Sequence, residues 1–93
     1  MKKVYAVRQD WANYDEHDNQ INLFDTKEKA KAFYEECVKL EKEQFITSNY
    51  LNENGTVDEG YILQEDEEEY EFYEDGNYDY CHSYIYIEEM EVN

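Results

Sequence analysis

The sequence predicts an α+β domain in which one amphipathic helix packs on a small antiparallel sheet, with elements in the order β-β-α-β-β. Three observations support this prediction: an apolar β-type run near the N-terminus, one apolar stripe at helical spacing, and an Asp-Gly turn between two aromatic runs. That order is typical of a helix covering one face of an antiparallel sheet. A chain of 93 residues has room for one core, so we expect a single domain over residues 1–93.

The first two strands are predicted on either side of a polar loop. An apolar, β-type run favours a strand within residues 2–12, and the polar residues 13–20 favour a loop. Residues 21–24 then predict a short second strand. Asp25 or Thr26 follows it, and either side chain can cap the N-terminus of a helix.

The middle of the chain predicts one helix, from Lys27 to about Phe45. Its apolar residues recur at spacings of three and four, which places them along one side of a helix. They are Ala30, Phe33, Tyr34, Cys37 and Leu40, with Gln44 as a further position. We expect the lysines of this helix to form a solvated face, supported by pairs such as Glu35 with Lys39, and not a binding patch.

The C-terminal half predicts a loop followed by a hairpin. Residues 49–60 are rich in Asn, Glu and Gly, and β-type segments follow at residues 61–74 and 78–92. The Asp75-Gly76 pair between them predicts a two-residue type I′ turn, because Asp-Gly tolerates the positive φ angles which that turn needs.

This turn would divide the hairpin side chains between two faces. The predicted core face holds Tyr70, Phe72, Cys81, Ser83, Ile85 and Ile87. The other face holds Glu65, Glu67, Glu69, Glu71 and Tyr73, opposite Tyr86, Tyr84, His82, Tyr80 and Tyr78 respectively. Unpaired carboxylates are costly to bury, so we expect this second face to be exposed.

The charge of the chain is strongly negative and unevenly distributed. The formal net charge is −17, well beyond the magnitude of about 2 to 8 that keeps a small domain soluble. All eight Lys and Arg precede residue 43, and the residues after it include none. Such a polyanion repels nucleic acid and anionic membranes, so we expect neither as a direct partner and predict binding to a basic protein surface.

Residue types that carry catalysis or bind metal ions are not arranged for either task. Cys81 and His82 are neighbours, but on a strand their side chains point to opposite faces and cannot act as a pair. The loop around Gly55 lacks the first and last carboxylates of a calcium-binding loop. Residues 15–18 are acidic with one histidine and are expected to be a solvated loop. We therefore expect no enzyme activity, no cofactor and no bound metal.

The cysteines and the N-terminus favour a cytoplasmic protein. Cys37 and Cys81 are too few for the disulfide framework of a small secreted domain, and we expect both to be buried thiols. No apolar segment has the length of a signal peptide core or a membrane span.

Carboxylates interleaved with tyrosines along residues 65–74 and 78–91 could imitate the phosphates and bases of a nucleic acid. The predicted partner-binding residues are Glu65, Glu67, Glu69, Glu71, Tyr73, Asp75, Tyr78, Tyr80, Tyr84 and Tyr86. In composition this last third of the chain resembles the small acidic inhibitors that phages direct against host nucleases, including anti-CRISPR proteins and DNA-mimicking restriction inhibitors. The resemblance implies an inhibitor that occupies the basic nucleic-acid channel of a nuclease or defence effector in the host cytoplasm.

Two other interpretations stay open. The chain could be a bacterial structural or adaptor domain that uses the tyrosine-rich strand as a homodimer or partner interface. Alternatively, the acidic face could serve only to keep the sheet soluble and to block edge pairing. Monomer and homodimer are both compatible with the sequence.

Overall fold

The structure is a computed structural model that describes residues 2–92, and it contains five strands and one long helix. The elements are β1 (Lys2–Asn13), β2 (Glu16–Phe24), α1 (Lys27–Gln44), a short 3₁₀ turn (Thr47–Asn49), β3 (Tyr61–Glu65), β4 (Glu69–Glu74) and β5 (Cys81–Val92). The strands form one antiparallel sheet in the order β2-β1-β5-β4-β3. The predicted small α+β fold with one helix is confirmed, but the sheet has five strands where four were predicted.

The additional strand arises because the predicted strand over residues 61–74 is interrupted by a tight turn. The Asp66 side chain accepts hydrogen bonds from the backbone N–H groups of Glu68 and Glu69, each 2.9 Å long. An aspartate that bonds to the backbone two and three residues ahead reverses the chain direction. β3 and β4 are therefore a hairpin of their own.

The predicted loop over residues 13–20 is wrong, because β2 already begins at Glu16. Asn13 pairs with Glu16, so only Tyr14 and Asp15 form the turn. Tyr14 has a φ of 58°, in the left-handed region where Gly or Asn is usually found in such turns. The sequence thus lacks the usual hairpin signal here. β2 is also an edge strand with a mostly exposed, polar sequence.

The turn between β4 and β5 is longer than predicted. The N–H of Asn77 donates to the carbonyl oxygen of Glu74 at 3.0 Å, closing the first turn. A second turn follows at once, in which the N–H groups of Tyr80 and Cys81 both donate to the Asn77 carbonyl at 3.0 Å. Gly76 has a φ of 84° but Asp75 is not in the positive region, so the turn is not type I′.

The second turn shifts the strand pairing by four residues without exchanging the two faces. Glu69 lies opposite Tyr86 instead of His82, and Glu71 lies opposite Tyr84 instead of Tyr80. Side chains alternate with a period of two, so an even shift leaves each residue of β4 and β5 on its predicted face. The predicted core face of this hairpin is confirmed: its residues lie on the helix side of the sheet, and all except the partly buried Ile87 are buried.

α1 covers one face of the sheet, called the inner face below. Thr26 is its N-cap and accepts the N–H of Lys29 through its hydroxyl at 3.2 Å, and the helix ends at Gln44 as predicted to within one residue. The buried helix residues are Ala30, Tyr34, Cys37, Val38 and Glu41. Phe33 and Leu40 are only partly buried, because the contact surface is rotated toward Val38 and Glu41. No helix among residues 2–92 is long and apolar enough to cross a membrane.

A buried polar network joins the end of α1 to the sheet. Glu41 is only 6% exposed. Its Oε1 accepts a hydrogen bond from the Ser83 hydroxyl at 2.6 Å, and its Oε2 accepts the N–H of Thr47 at 2.8 Å. The Thr47 hydroxyl in turn lies 2.5 Å from the hydroxyl of Tyr70. These bonds satisfy polar groups that would otherwise be costly to bury.

Candidate functional site

The candidate site is the sheet face turned away from α1, called the outer face below. Three rows of paired residues cross its central strands β1, β5 and β4. They are Arg8, Tyr86 and Glu69; Asp10, Tyr84 and Glu71; and Ala12, His82 and Tyr73. Adjacent strands are about 4.8 Å apart, so the backbone positions of Asp10 and Glu71 lie about 10 Å apart with a tyrosine between them.

Two tyrosine hydroxyls bind the carboxylates of β4. The Tyr84 hydroxyl donates to Glu69 Oε1 at 2.9 Å, and the Tyr78 hydroxyl donates to Glu71 Oε2 at 3.2 Å. Burial, followed by the hydrogen bond to Glu69, raises the pKa of Tyr84 to about 12. Burial and the nearby Glu71 charge likewise raise the pKa of Tyr78. Both phenols therefore stay protonated at neutral pH and hold the carboxylates in fixed positions on the outer face.

The aromatic side chains of this face form two clusters. The Tyr78 ring stacks on the His82 ring with centroids 4.6 Å apart, and Tyr73 lies 5.2 Å from Tyr78. Tyr84 and Tyr86 are in edge contact with centroids 4.7 Å apart. The expectation that His82 is exposed is wrong: it is buried, because Tyr78 belongs to the turn and folds over it.

The turn between β4 and β5 places further predicted residues at one end of the outer face. Tyr80 is 60% exposed, and Asp75 is also exposed. Asp75 lies in the turn as expected. Tyr80 also lies in the turn, so its predicted position on the second strand of the hairpin is wrong. The Tyr80 carbonyl accepts the N–H of Tyr14, so this turn is held against the turn between β1 and β2.

Glu65 and Glu67 do not belong to the outer face, which corrects the predicted row of four carboxylates. Glu65 pairs with Tyr70 across β3 and β4, and its side chain contacts Lys42 of α1. Glu67 lies in the turn after β3, where its carboxylate is 3.7 Å from Lys31 Nζ. The prediction fails because it assumed one continuous strand from residue 61 to residue 74.

Three of the five lysines of α1 therefore pair with carboxylates at the end of β3 and in the acidic turn after it, instead of forming only a solvated face. Besides the pairs of Lys42 and Lys31, Lys27 Nζ lies 2.6 Å from Glu68 Oε1. Exposed pairs of this kind contribute about 0 to 1 kcal/mol each to stability. Their main consequence is electrostatic: they keep most positive charges of the chain on the helix side of the sheet.

The outer face carries few positive charges. Among the described residues, Lys2 and Arg8 are the basic residues whose strand positions face outward. Arg8 makes an ion pair with Glu88, and Lys2 lies at the first position of β1. Within residues 2–92, no lysine or arginine is thus paired with the carboxylates of Asp10, Glu69 and Glu71.

The structure also forms a depression that the sequence did not predict, at the Ala12 end of the outer face. Its cavity volume is about 280 Å³, and it is lined by Asp10, Ala12, His17, Asp18, Asn19, Asp79 and His82. The pairing of β1 with β2 places His17 on one side of Ala12, and the pairing with β5 places His82 on the other. Recognising the hairpin turn at Tyr14 would have revealed this arrangement.

Both cysteines lie in the core of the fold. Cys37 and Cys81 are free and buried as predicted, and burial raises the pKa of Cys37 to about 11 and also raises the pKa of Cys81. Both thiols are therefore protonated at neutral pH, whereas a nucleophilic cysteine needs its thiolate. Within residues 2–92, no cluster of three or more His, Cys, Asp or Glu side chains has a geometry that could hold a metal ion.

Comparison of the chain with protein-family models, with curated proteins and with solved structures gives no match. The outer face and its charge are therefore the features that bear on function.

Proposed function

We propose that this protein is a non-catalytic acidic inhibitor that binds the basic nucleic-acid-binding surface of a nuclease or defence effector in the cytoplasm. The observation that carries the proposal is the composition of the outer face, where Asp10, Glu69 and Glu71 alternate with tyrosines. In this respect the protein would act as anti-CRISPR proteins and other DNA mimics do.

The distribution of charge supports this proposal. Three helix lysines are paired with carboxylates at the end of β3 and in the turn after it, on the side of the sheet away from the outer face. A surface of one sign attracts a surface of the opposite sign and accelerates association with it. The basic cleft of a nucleic-acid-binding protein is such a surface.

The tyrosines supply the second part of the resemblance to nucleic acid. Tyr73, Tyr84 and Tyr86 are partly exposed between the carboxylates, and Tyr80 extends from the adjoining turn. A protein cleft that binds single strands offers aromatic and arginine side chains for the bases, and tyrosine rings can occupy the same places. Tyrosine is also enriched among the residues that dominate binding energy at interfaces.

A capture experiment tests this function. The protein is immobilised, incubated with bacterial lysate at low salt, and washed with duplex DNA as competitor or with rising salt. We expect it to retain nucleic-acid-binding proteins that the DNA displaces, and we expect a variant with Glu69→Gln and Glu71→Gln to retain much less of them. If no retained protein is displaced by DNA, the proposed mimicry is wrong.

One observation favours the alternative of a homodimer. Ile21 and Leu23 lie on the edge strand β2, face outward and are 46% and 59% exposed. Exposed apolar residues on an edge strand are suited to pairing with a second copy. The central position of β5 restricts its tyrosines to face contacts, so this dimer would form through β2. Light scattering should then give a dimer mass that Ile21→Lys converts to the monomer mass.

A further inference from the structure

The depression beside Ala12 is lined by His82, and one imidazole nitrogen of His82 has no hydrogen-bond partner. The His82 side chain is only 10% exposed. Its Nδ1 lies 2.6 Å from the carbonyl oxygen of Tyr78. Its Nε2 is buried and has no hydrogen-bond partner. The nearest carboxylate oxygen is Asp10 Oδ1, and its distance of 3.7 Å is too long for a hydrogen bond.

The bond to Tyr78 determines what Nε2 can bind. A carbonyl oxygen only accepts hydrogen bonds, so Nδ1 must carry a proton to bind it. In the neutral ring the other nitrogen, Nε2, is then an acceptor with a free lone pair. A ligand that satisfies Nε2 must therefore be a hydrogen-bond donor.

The lining of the depression adds a requirement for positive charge. The three aspartates Asp10, Asp18 and Asp79 line it together with Asn19. Among the described residues, no lysine or arginine does so. Ala12 lies between the two histidines in the strand pairing and also lines the depression. The side chain of Asp10 is 61% exposed, so it is free to change its rotamer when a ligand binds.

We propose that this depression binds the guanidinium group of an arginine side chain. Guanidinium carries five N–H donors in a planar fork, so one edge can bind a carboxylate while another N–H reaches a neighbouring acceptor. Here Asp10 is the carboxylate and His82 Nε2 is the neighbouring acceptor. An ammonium group provides charge but not this planar arrangement of donors. The inference rests on the proposed function, in which the arginine belongs to the basic surface of the partner.

NMR on the isolated protein tests this inference without the partner. The probe is N-acetyl-arginine amide, titrated at low ionic strength into ¹⁵N-labelled protein, with N-acetyl-lysine amide as the comparison of equal charge. We expect saturable shifts at His82 Nε2 and at the amides of Ala12 and Asn19, with the arginine compound binding about threefold more tightly than the lysine compound.

Asp10→Asn is the test variant, because its exposed side chain can be changed without disturbing the core. We expect it to weaken arginine binding about two- to fivefold, the range for an exposed charge pair. Asp58→Asn, which removes the same charge from the exposed loop before β3, should leave binding at this site unchanged. Equal weakening by both variants would overturn the inference, as would arginine shifts spread evenly over the acidic surface.

The imidazole signals provide an independent outcome. If His82 carries protons on both nitrogens at neutral pH, it is the partner of Asp10 and the arginine site does not exist. Failure of arginine binding while the lysate experiment succeeds would overturn this inference alone. Arginine binding without any DNA-displaceable partner would instead contradict the proposed function.

Discussion

The hydroxyl of Tyr84 on β5 donates a hydrogen bond of 2.9 Å to the Glu69 carboxylate on β4. The bond is diagonal, because Tyr84 lies directly opposite Glu71 and not opposite Glu69. It holds the Glu69 carboxylate against the Tyr84 ring on the outer face. Because a tyrosine on one strand fixes a carboxylate on the next, the negative charges of this face keep defined positions.

The first prediction concerns the ionisation of Tyr84, whose pKa in the folded chain is about 12 against an ordinary value of 10.0. The folded state keeps a proton that the unfolded state releases between these values. The stabilising contribution is therefore complete below about pH 10 and is lost as the pH rises toward about 12. Between pH 8 and pH 11, the free energy of unfolding measured in urea should fall less for Tyr84→Phe than for the unchanged chain. An equal loss would contradict the assignment.

The second prediction concerns the buried network of Glu41. Glu41→Ala removes the acceptor for both the Ser83 hydroxyl and the Thr47 N–H, so it should reduce the free energy of unfolding by about 1 to 3 kcal/mol or more. Glu41→Gln keeps one acceptor oxygen and should cost less. The exposed neighbour Glu43→Ala is the control and should change stability by less than about 0.5 kcal/mol. Denaturant unfolding that ranks Glu43→Ala with Glu41→Ala would show that the network is not formed.

The third prediction concerns the packing of the inner face. Phe72 is fully buried and stacks near Tyr61 with centroids 5.6 Å apart, whereas Phe45 is 54% exposed. Phe72→Ala should lower the free energy of unfolding by about 3 to 5 kcal/mol. Phe45→Ala should change it by less than about 0.5 kcal/mol. Phe33 is partly buried, so the loss for Phe33→Ala should lie between the losses for the other two variants.

The sequence predicts the inner side of this fold better than its outer side. The spacing of Ala30, Tyr34 and Cys37 identifies the helix face, since burial of apolar residues imposes the helical period. The alternation along β4 and β5 identifies which of their residues lie on the helix side of the sheet. This assignment holds although the predicted pairing of the two strands is wrong by four residues, because four is an even number. The carboxylate of Glu41 was missed, because a buried charge follows no apolar pattern.

Turns limited the prediction of the candidate site. Neither Tyr14 nor the Asn77 turn has the sequence signature of its backbone conformation, so strand ends and pairing could not be predicted. Asp66 reverses the chain within an acidic run that otherwise appears to be one strand. As a result, Glu65 and Glu67 were assigned to the wrong face.

The fourth prediction separates binding from stability in the tyrosines. Tyr80 is mostly exposed in a turn, so Tyr80→Ala should weaken partner binding by about 1 to 3 kcal/mol with little loss of stability. Tyr84 is partly buried and bonded to Glu69, so Tyr84→Ala should reduce both the affinity for the partner and the stability of the fold. Thermal unfolding and partner affinity are measured on the same two samples. Loss of stability without loss of affinity in Tyr80→Ala would assign this tyrosine to the fold.

The most direct test of the proposed function compares two pairs of charge removals. Glu69→Gln with Glu71→Gln changes the outer face, and Glu65→Gln with Glu67→Gln removes the same charge from the helix side. Glutamine keeps an oxygen that can accept the tyrosine hydrogen bonds, so each fold should be retained. Affinity for the DNA-displaceable partner is measured by biolayer interferometry at low and high salt.

We predict that the outer pair weakens binding about tenfold at low salt and that the difference shrinks as salt screens the charges. The helix-side pair should change affinity by about twofold or less, because these carboxylates are already paired with lysines. Equal losses in the two double variants would contradict the account, since they would show that net charge, and not the outer face, determines binding.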